Sequence, residues 1–387
     1  MRLPRLATAS AVASMLIIAG SAGCTSDHEE SGGAGTIVIG ADLDSSSTVD
    51  KAYARALQLR IEQINASGQL GDRKLLLRSQ DNKADPTTSL RNISAFADDP
   101  SVGAVVTGSC DECVVSAAKT INDKRIPTIA LAASDDVSTP VSDRRYVFKL
   151  GPNSSDSAAA LVAELVRLRT TNVGILYSDD LSGRGSRDAV RSALEKANVQ
   201  IRTTRAVKPS ADDISETVSA VSAVKPAALL VLTAPEQATL AATGAKNAGY
   251  TGRVYFDASA ASDLFIPPAA AVATNNATMV FTQILAIDDV IATTPAKSSR
   301  KQWFRAYTSR YGSYSGVAAF GGDATDLIAD AVARVGGDRD RIRDILETSQ
   351  TDGLAGPIRL TPDNHSGLMP QALTLLVARA GRWRLAS

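Results

Sequence analysis

The feature that most constrains the fold of this chain is a sustained alternation. Short runs of β-branched and aliphatic residues, each the length of one strand, are separated by longer segments with the period of an amphipathic helix. The candidate strands are TIVIGA (36–41), KLLLRS (74–79), VGAVVTG (102–108), IPTIALA (126–132), NVGILY (172–177), VQIRTTR (199–205), PAALLVLT (226–233) and RVYFDA (253–258). Between the first two, VDKAYARALQLRIEQINASG puts Ala52, Ala56, Leu57, Ile61 and Ile64 on one helical face, and Gly68 stops the helix. Asp85 followed by Pro86 is a cap with proline in the first turn, and it predicts a second helix. Strands that read as nearly continuous apolar runs between helices belong in parallel sheets covered on both faces. The expected fold class is therefore α/β.

The pattern also repeats. Residues 36–135 hold about four strand–helix units, and a fresh set begins after FKLGPNSSD (148–156) and runs to about 273. NNATMVFTQILA (275–286) leads to helical patterns at 297–311, 317–335 and 338–347, and the chain closes with GPIRLT (356–361) and ALTLLVAR (372–379). This order predicts two doubly wound parallel-sheet lobes, with the chain crossing between them more than once. The length from Thr36 to Ser387 also suits two domains better than one.

Charge and aromatic content exclude some function classes. Lys and Arg balance Asp and Glu at 41 each, and loss of Arg2 and Arg5 with a leader leaves a net charge of −2. There is no basic field to hold nucleic acid or anionic lipid. At 4% aromatic residues, rows of base-stacking platforms are not expected either. The chain has no Gly-x-Ser-x-Gly elbow, Walker loop or His-Glu-x-x-His motif. Ser182-Gly-Arg-Gly-Ser186 follows a strand but lacks the third glycine of a dinucleotide fingerprint. His28 sits in a polar stretch and His365 reads as a turn residue. A zinc site at Cys110 and Cys113 would need two more ligands that the chain does not supply, so neither metal nor cofactor is expected. The reading is of a non-enzyme.

The N-terminus has the order of a secretion signal. Arg2 and Arg5 precede an uncharged stretch, Leu6 to Gly20, and small residues lead into Cys24. A cysteine at that point resembles the lipobox of bacterial lipoproteins, which implies a diacylated Cys24 as the first mature residue. TSDHEESGGAG then reads as a flexible tether. The expected segments are a signal peptide over 1–23 and a lipidated cysteine with tether over 24–35. The expected location is the outer face of the cytoplasmic membrane, held there by the lipid.

The ordered set of segments resembles a second family. IVIGADLDSS, Ile64-Asn65-Ala66-Ser67-Gly68, Gly71-Asp72-Arg73-Lys74-Leu75, and Asp81 followed by Pro86 come first. VGAVVTGS, KRIPTIALAAS, VFKLGP, ILYSDD, WFRAYTSRYG, AAFGGDATDLI and DGLAGPIRL complete it. Together they are similar to the substrate-binding proteins of ABC importers for branched-chain amino acids and amides, across nearly the whole mature chain. The resemblance implies a periplasmic-binding-protein type I fold, two lobes joined by a multi-strand hinge. Lobe 1 is expected over 36–149 plus 284–357 and lobe 2 over 150–283 plus 358–387.

The same resemblance implies where a ligand sits. Open α/β sheets bind ligands at the carboxyl ends of their strands, where helix N-termini offer N–H groups. In the family, the first lobe holds an amino acid's carboxylate through two loops, which here contain Ser109, Cys110 and Asp111, and Ala132 to Ser134. Ser134 matches the hydroxyl position, or it is a plain turn cap; Ala132 offers its carbonyl. The second lobe supplies an aromatic residue near Leu181 or Ser182, where none exists, and a carboxylate near Asp257. Asp257 either meets the ligand's ammonium group or caps the following helix. Thr233 is a further contact, and Ser45 and Ser46 are candidates for the rim. Asp111 and Glu112 would repel a ligand carboxylate if they faced inward; the expected arrangement has both in the first helical turn, facing outward.

Three functions fit this reading. One is a solute-binding lipoprotein that captures a small polar ligand, an amino acid or amide, and hands it to an ABC permease. Another is a ligand-sensing lipoprotein acting on a signalling partner. The third is an extracellular thiol oxidoreductase using Cys110 and Cys113. That cysteine pair, outside the cytoplasm, is open to three states: local disulfide, free thiols or catalytic pair.

Overall fold

The computed structural model describes residues 35–264 and 266–386. The expected signal peptide, Cys24, His28 and all but the last residue of the tether lie outside the described residues. Among the described residues no helix is long and apolar enough to cross a membrane.

The first sheet is built from β1 (Thr36–Leu43), β2 (Lys74–Asp81), β3 (Val102–Thr107), β4 (Thr128–Ala130) and β5 (Val147–Lys149). They lie in the order β2-β1-β3-β4-β5, all parallel. Its central strand β3 is buried at every position, as a sheet covered on both faces requires. The covering helices are α1 (Thr48–Ser67), α2 (Pro86–Asp98) and α3 (Asp111–Asp123). In α1, Ala52, Ala56, Leu57, Ile61 and Ile64 are buried, the face the sequence period defines. Leu57, Ile61 and Ile64 in that stripe each contribute about 1.5–3 kcal/mol by leaving water. Ser47 caps α1 by accepting from Asp50 N–H, and Gly68 ends it at φ 73°, a conformation in which a side chain is strained. Asp85 caps α2 through Thr88 N–H, with Pro86 in the first turn.

The second lobe begins with α4 (Ser154–Arg167) and repeats the plan with β6 (Asn172–Ser178), α5 (Leu181–Lys196), β7 (Gln200–Val207), α6 (Ser215–Ala223), β8 (Ala228–Leu232), α7 (Pro235–Asn247), β9 (Arg253–Phe256), α8 (Pro268–Thr274) and β10 (Thr278–Thr282). The chain then returns to the first lobe through α9 (Pro295–Tyr311), α10 (Ala318–Val335) and α11 (Arg339–Glu347), with α10 packed along α1. A short hairpin, β11 (Gln350–Asp352) and β12 (Pro357–Arg359), precedes β13 (Leu373–Arg379) and β14 (Arg382–Leu385). The second sheet runs β14-β13-β10-β9-β8-β6-β7, parallel except for β13, which is antiparallel to both its neighbours β10 and β14.

Three strands differ from the sequence expectation. β5 and β11 are only three residues each and β14 only four, too short to carry a periodic signal. Residues 358–372, expected in lobe 2, run instead along the edge of the first sheet. Lys149 N–H donates to His365 C=O, Gly367 N–H donates to Lys149 C=O, and Ser366 pairs in parallel with Lys149. His365 is therefore no surface turn. It is buried against Phe148, with Nδ1 2.9 Å from Val147 C=O and Nε2 3.2 Å from Glu347.

Candidate ligand-binding site

Each sheet reverses its winding at one point, between β1 and β3 in the first and between β6 and β8 in the second. Loops leaving adjacent strands there diverge and open a crevice. The two crevices face each other across a cavity of about 1050 Å³. The first lobe contributes loops after β1, β3 and β4; the second contributes loops after β6, β8 and β9.

Several residues singled out in the sequence meet here. Ser109, Cys110, Asp111 and Ala132 line the cavity from the first lobe, and Ser182, Thr233 and Asp257 from the second. Ser134 does not line it. Its hydroxyl accepts from Asp136 N–H and its own N–H is taken by Asp111, so it serves as a turn cap. Ser46 is on the wall, whereas Ser45 turns away to donate to Asp81. Gly151 keeps the Ala132 carbonyl uncrowded, since a Cβ there would stand 2.5 Å from that oxygen.

The expected outward placement of Asp111 and Glu112 is overturned. Asp111 is buried on the cavity wall, where Oδ1 accepts from Ser134 N–H at 2.6 Å. Burial pushes its carboxyl up to about 7, and the nearby charges of Glu112 and Asp180 push in the same direction. Glu112 reaches the opposite lobe, accepting from Leu181 N–H at 2.9 Å. A helix first turn would orient both outward if α3 stood alone; the facing lobe makes that turn an interior surface.

Cys110 and Cys113 are bonded, with sulfurs 2.01 Å apart, and Cys113 is buried. The bridge staples the first turn of α3, where the Cys110 sulfur also accepts from Cys113 N–H. This arrangement gives no support to a reactive dithiol.

Beneath the same loop lies Asp50, a residue with no sequence signal for a site role. It is buried and accepts from Asp44 N–H at 2.7 Å and Ser109 N–H at 2.8 Å. Gly108 makes this possible, because a Cβ at that position would overlap Asp50 Oδ2 at 2.1 Å.

In the second lobe, Asp257 is buried and accepts from Ser259 Oγ at 2.5 Å. It caps nothing through its side chain. Burial raises its carboxyl to about 6, opposed by hydrogen bonds from Ser259 and Ser186 and reinforced by Asp180. Asp180 caps α5 by accepting from Gly183 N–H. No aromatic side chain stands at 181–182; apolar wall comes instead from Tyr53, Phe281 and Phe320.

The wall as a whole is acidic. Asp44, Asp111, Glu112, Asp179, Asp180, Asp212, Glu236 and Asp257 line it, with no Lys, Arg or His among the described lining residues. Only Asp179 has an ion-pair partner among the described residues, Arg184 at 2.8 Å. Lys149 stands behind the wall, fully buried. Its ammonium donates to Gly151 C=O, Pro152 C=O and Asn153 Oδ1, and Asp135 is 3.6 Å away. Among the described residues no group of three or more His, Cys, Asp or Glu side chains is placed to hold a metal ion. The sequence reading missed Asp44, Asp180, Glu236 and Gln237; each follows a strand end by one to five residues, the only local sign of its place.

The lobes are shut on each other. Besides the Glu112 contact, Thr48 Oγ1 donates to Glu236 Oε1 at 2.6 Å across the cleft.

Fold and site together define a two-lobed cleft protein that binds a small molecule between facing α/β domains. The chain belongs to the periplasmic binding protein family: the family model of that description matches residues 37–382. No curated protein matches the sequence. Among solved structures, an extracellular ligand-binding receptor from Rhodopseudomonas palustris HaA2 is similar at a TM-score of 0.83 and 20% identity, over 90% of this chain and 99% of that one. A leucine-binding protein, LivK, from Thermotoga maritima MSB8 follows at 0.78 and 16%, over 91% and 98%. An ABC transporter substrate-binding protein from Desulfitobacterium hafniense in complex with Leu stands at 0.74 and 20%, over 91% and 100%. At these identities the likeness is one of fold.

Proposed function

We propose that the chain is an extracytoplasmic solute-binding lipoprotein. It captures a small polar ligand between its lobes, closes over it by hinge motion and presents the closed form to an ABC permease. Cys24 carries the lipid that keeps it at the outer face of the cytoplasmic membrane. One observation carries the reading: both switch-point crevices open into a single cavity of about 1050 Å³ that neither lobe encloses alone. A site divided in this way couples occupancy to lobe position, because a ligand touching both walls favours the closed form over the open one. The three backbone passages between lobes, at Lys149–Ser154, Thr282–Val290 and Leu360–Leu373, supply the hinge.

The lobe division proposed is 36–149 with 284–357 and 150–283 with the C-terminal strands, the 358–372 strap lying on the first lobe's edge. A thermal-shift screen of the purified chain against amino acids, amides, urea, polyamines and aromatic acids tests the reading. A true ligand raises the melting temperature with the logarithm of its concentration, and small-angle scattering records a smaller radius of gyration on binding. If every solute class leaves both quantities unchanged, solute capture is refuted.

A further inference from the structure

The polarity of the cavity wall points to a ligand different from an amino acid. In a site for an amino acid, one end of the cleft must offer free N–H groups to a carboxylate. Here two N–H groups of the first-lobe loops are already engaged. Ser109 N–H donates to Asp50 and Ser134 N–H donates to Asp111. Three hydroxyls of the lining are spent in the same way: Ser259 donates to Asp257, Thr233 to Ala234 C=O and Tyr53 to Leu131 C=O. The charged groups turned to the cavity are all acceptors.

Two further observations add to the carboxylate count. Gln237, on the cavity lining and 3% exposed, has a buried Oε1 with no partner, while its Nε2 donates to the backbone at Pro209. Asp111 and Asp257, each about nine-tenths buried or more, line the cavity from opposite lobes with no ion-pair partner among the described residues; Lys149, behind the wall, acts on Asp111 only from beyond ion-pair distance. A buried carboxylate with no ion-pair partner is costly to hold, and a ligand supplying positively charged donors would relieve both.

We infer that the cleft binds an organic cation with two or more protonated nitrogens and no carboxylate, a diamine or polyamine, held between Asp111 of the first lobe and Asp257 of the second. The inference rests on the solute-capture reading and specifies its ligand class. The amine nitrogens donate to the carboxylates, and the methylene chain lies against Tyr53, Phe281 and Phe320.

Calorimetric titration of the full chain with 1,4-diaminobutane, spermidine, leucine and calcium chloride tests this. The expected result is binding of a diamine or spermidine at least ~100-fold tighter than leucine, weakening as salt rises. Asp111→Asn and Asp257→Asn should each reduce amine affinity by about 10-fold or more. Both keep an acceptor for their backbone or hydroxyl donor, and both should melt at or above the parent's temperature, because each removes a buried charge. Binding of leucine with no response to the amines would overturn the cationic ligand and leave solute capture standing. A response to calcium alone would overturn it in favour of an inorganic cation. Undiminished amine binding in both variants would overturn the assignment of these two carboxylates. Silence from the four probes overturns the ligand class; solute capture falls only if the broad solute screen is silent too.

Discussion

At the scale of single residues, the site depends on contacts between positions far apart in the chain. Gly108 is a glycine because Asp50, 58 residues earlier, occupies the space a side chain would need. Gly108→Ala should cost about 2–3 kcal/mol, measured by urea unfolding, because either the Asp50 carboxylate leaves its two N–H partners or the β3–α3 loop shifts. An equal midpoint in the variant would show that the loop relaxes freely. The cysteine pair gives a second check. Alkylation of the unfolded, unreduced chain should leave Cys110 and Cys113 unmodified, and modification of both would contradict the bonded pair.

At the scale of elements, α3 has two functions. Its N-terminus closes the first-lobe crevice, and its second residue, Glu112, spans the cleft to Leu181 N–H at the start of α5. A helix start placed against another helix start would leave both sets of N–H groups unpaired; the glutamate pairs one of them. Removing this contact in Glu112→Ala should shift the lobes toward the open form by about 1–2 kcal/mol and weaken ligand binding roughly 5- to 30-fold through the closed fraction. The comparison to make is the radius of gyration of the unliganded variant against the parent, with a larger value expected. An unchanged radius with unchanged affinity would remove Glu112 from the closure mechanism.

At the scale of the whole molecule, the buried carboxylates set the pH response. Asp111, Asp257 and Asp323 are each raised by burial, to about 7, about 6 and about 7. The charged and titratable groups around the first two are Glu112, Asp180 and Lys149. Asp323 accepts from Leu354 and Ala355 N–H, with Asp326 and Arg300 nearby. In the folded chain these groups hold protons that the unfolded chain has already lost above about pH 4. Protons therefore favour the folded state between about pH 4 and pH 7, and that stability is lost as pH rises through 6 and 7. Unliganded protein should be more stable at pH 5 than at pH 8 by on the order of a few kcal/mol, read from urea midpoints. A midpoint that rises with pH over this range would contradict the buried-charge picture. A cationic ligand reverses the trend, since it binds the ionised carboxylates, and its affinity should fall as pH drops below 6.

Much of the architecture was legible in residues 36–260 because strand and helix periods are local properties. Ala52, Ala56, Leu57, Ile61 and Ile64 define the buried face of α1 whatever packs on it, and Asp85-Pro86 starts a helix by its own chemistry. The repeated order of units and their apolar strands required two parallel sheets, and the strand ends marked where a ligand would lie. The sequence also named Ser109, Asp111, Ala132 and Asp257 as cleft residues, but it left their directions open. Direction was decided by tertiary structure alone. Whether Asp111 faces water or ligand depends on a second lobe standing opposite α3, and whether Ser109 N–H is free depends on Asp50 arriving from α1. His365 reads as a turn residue in its own segment and becomes a hinge core residue only because the 358–372 strap lies along β5. Local chemistry determines which elements form. Burial and charge, which set the character of this cleft, depend on neighbours supplied by the folded whole.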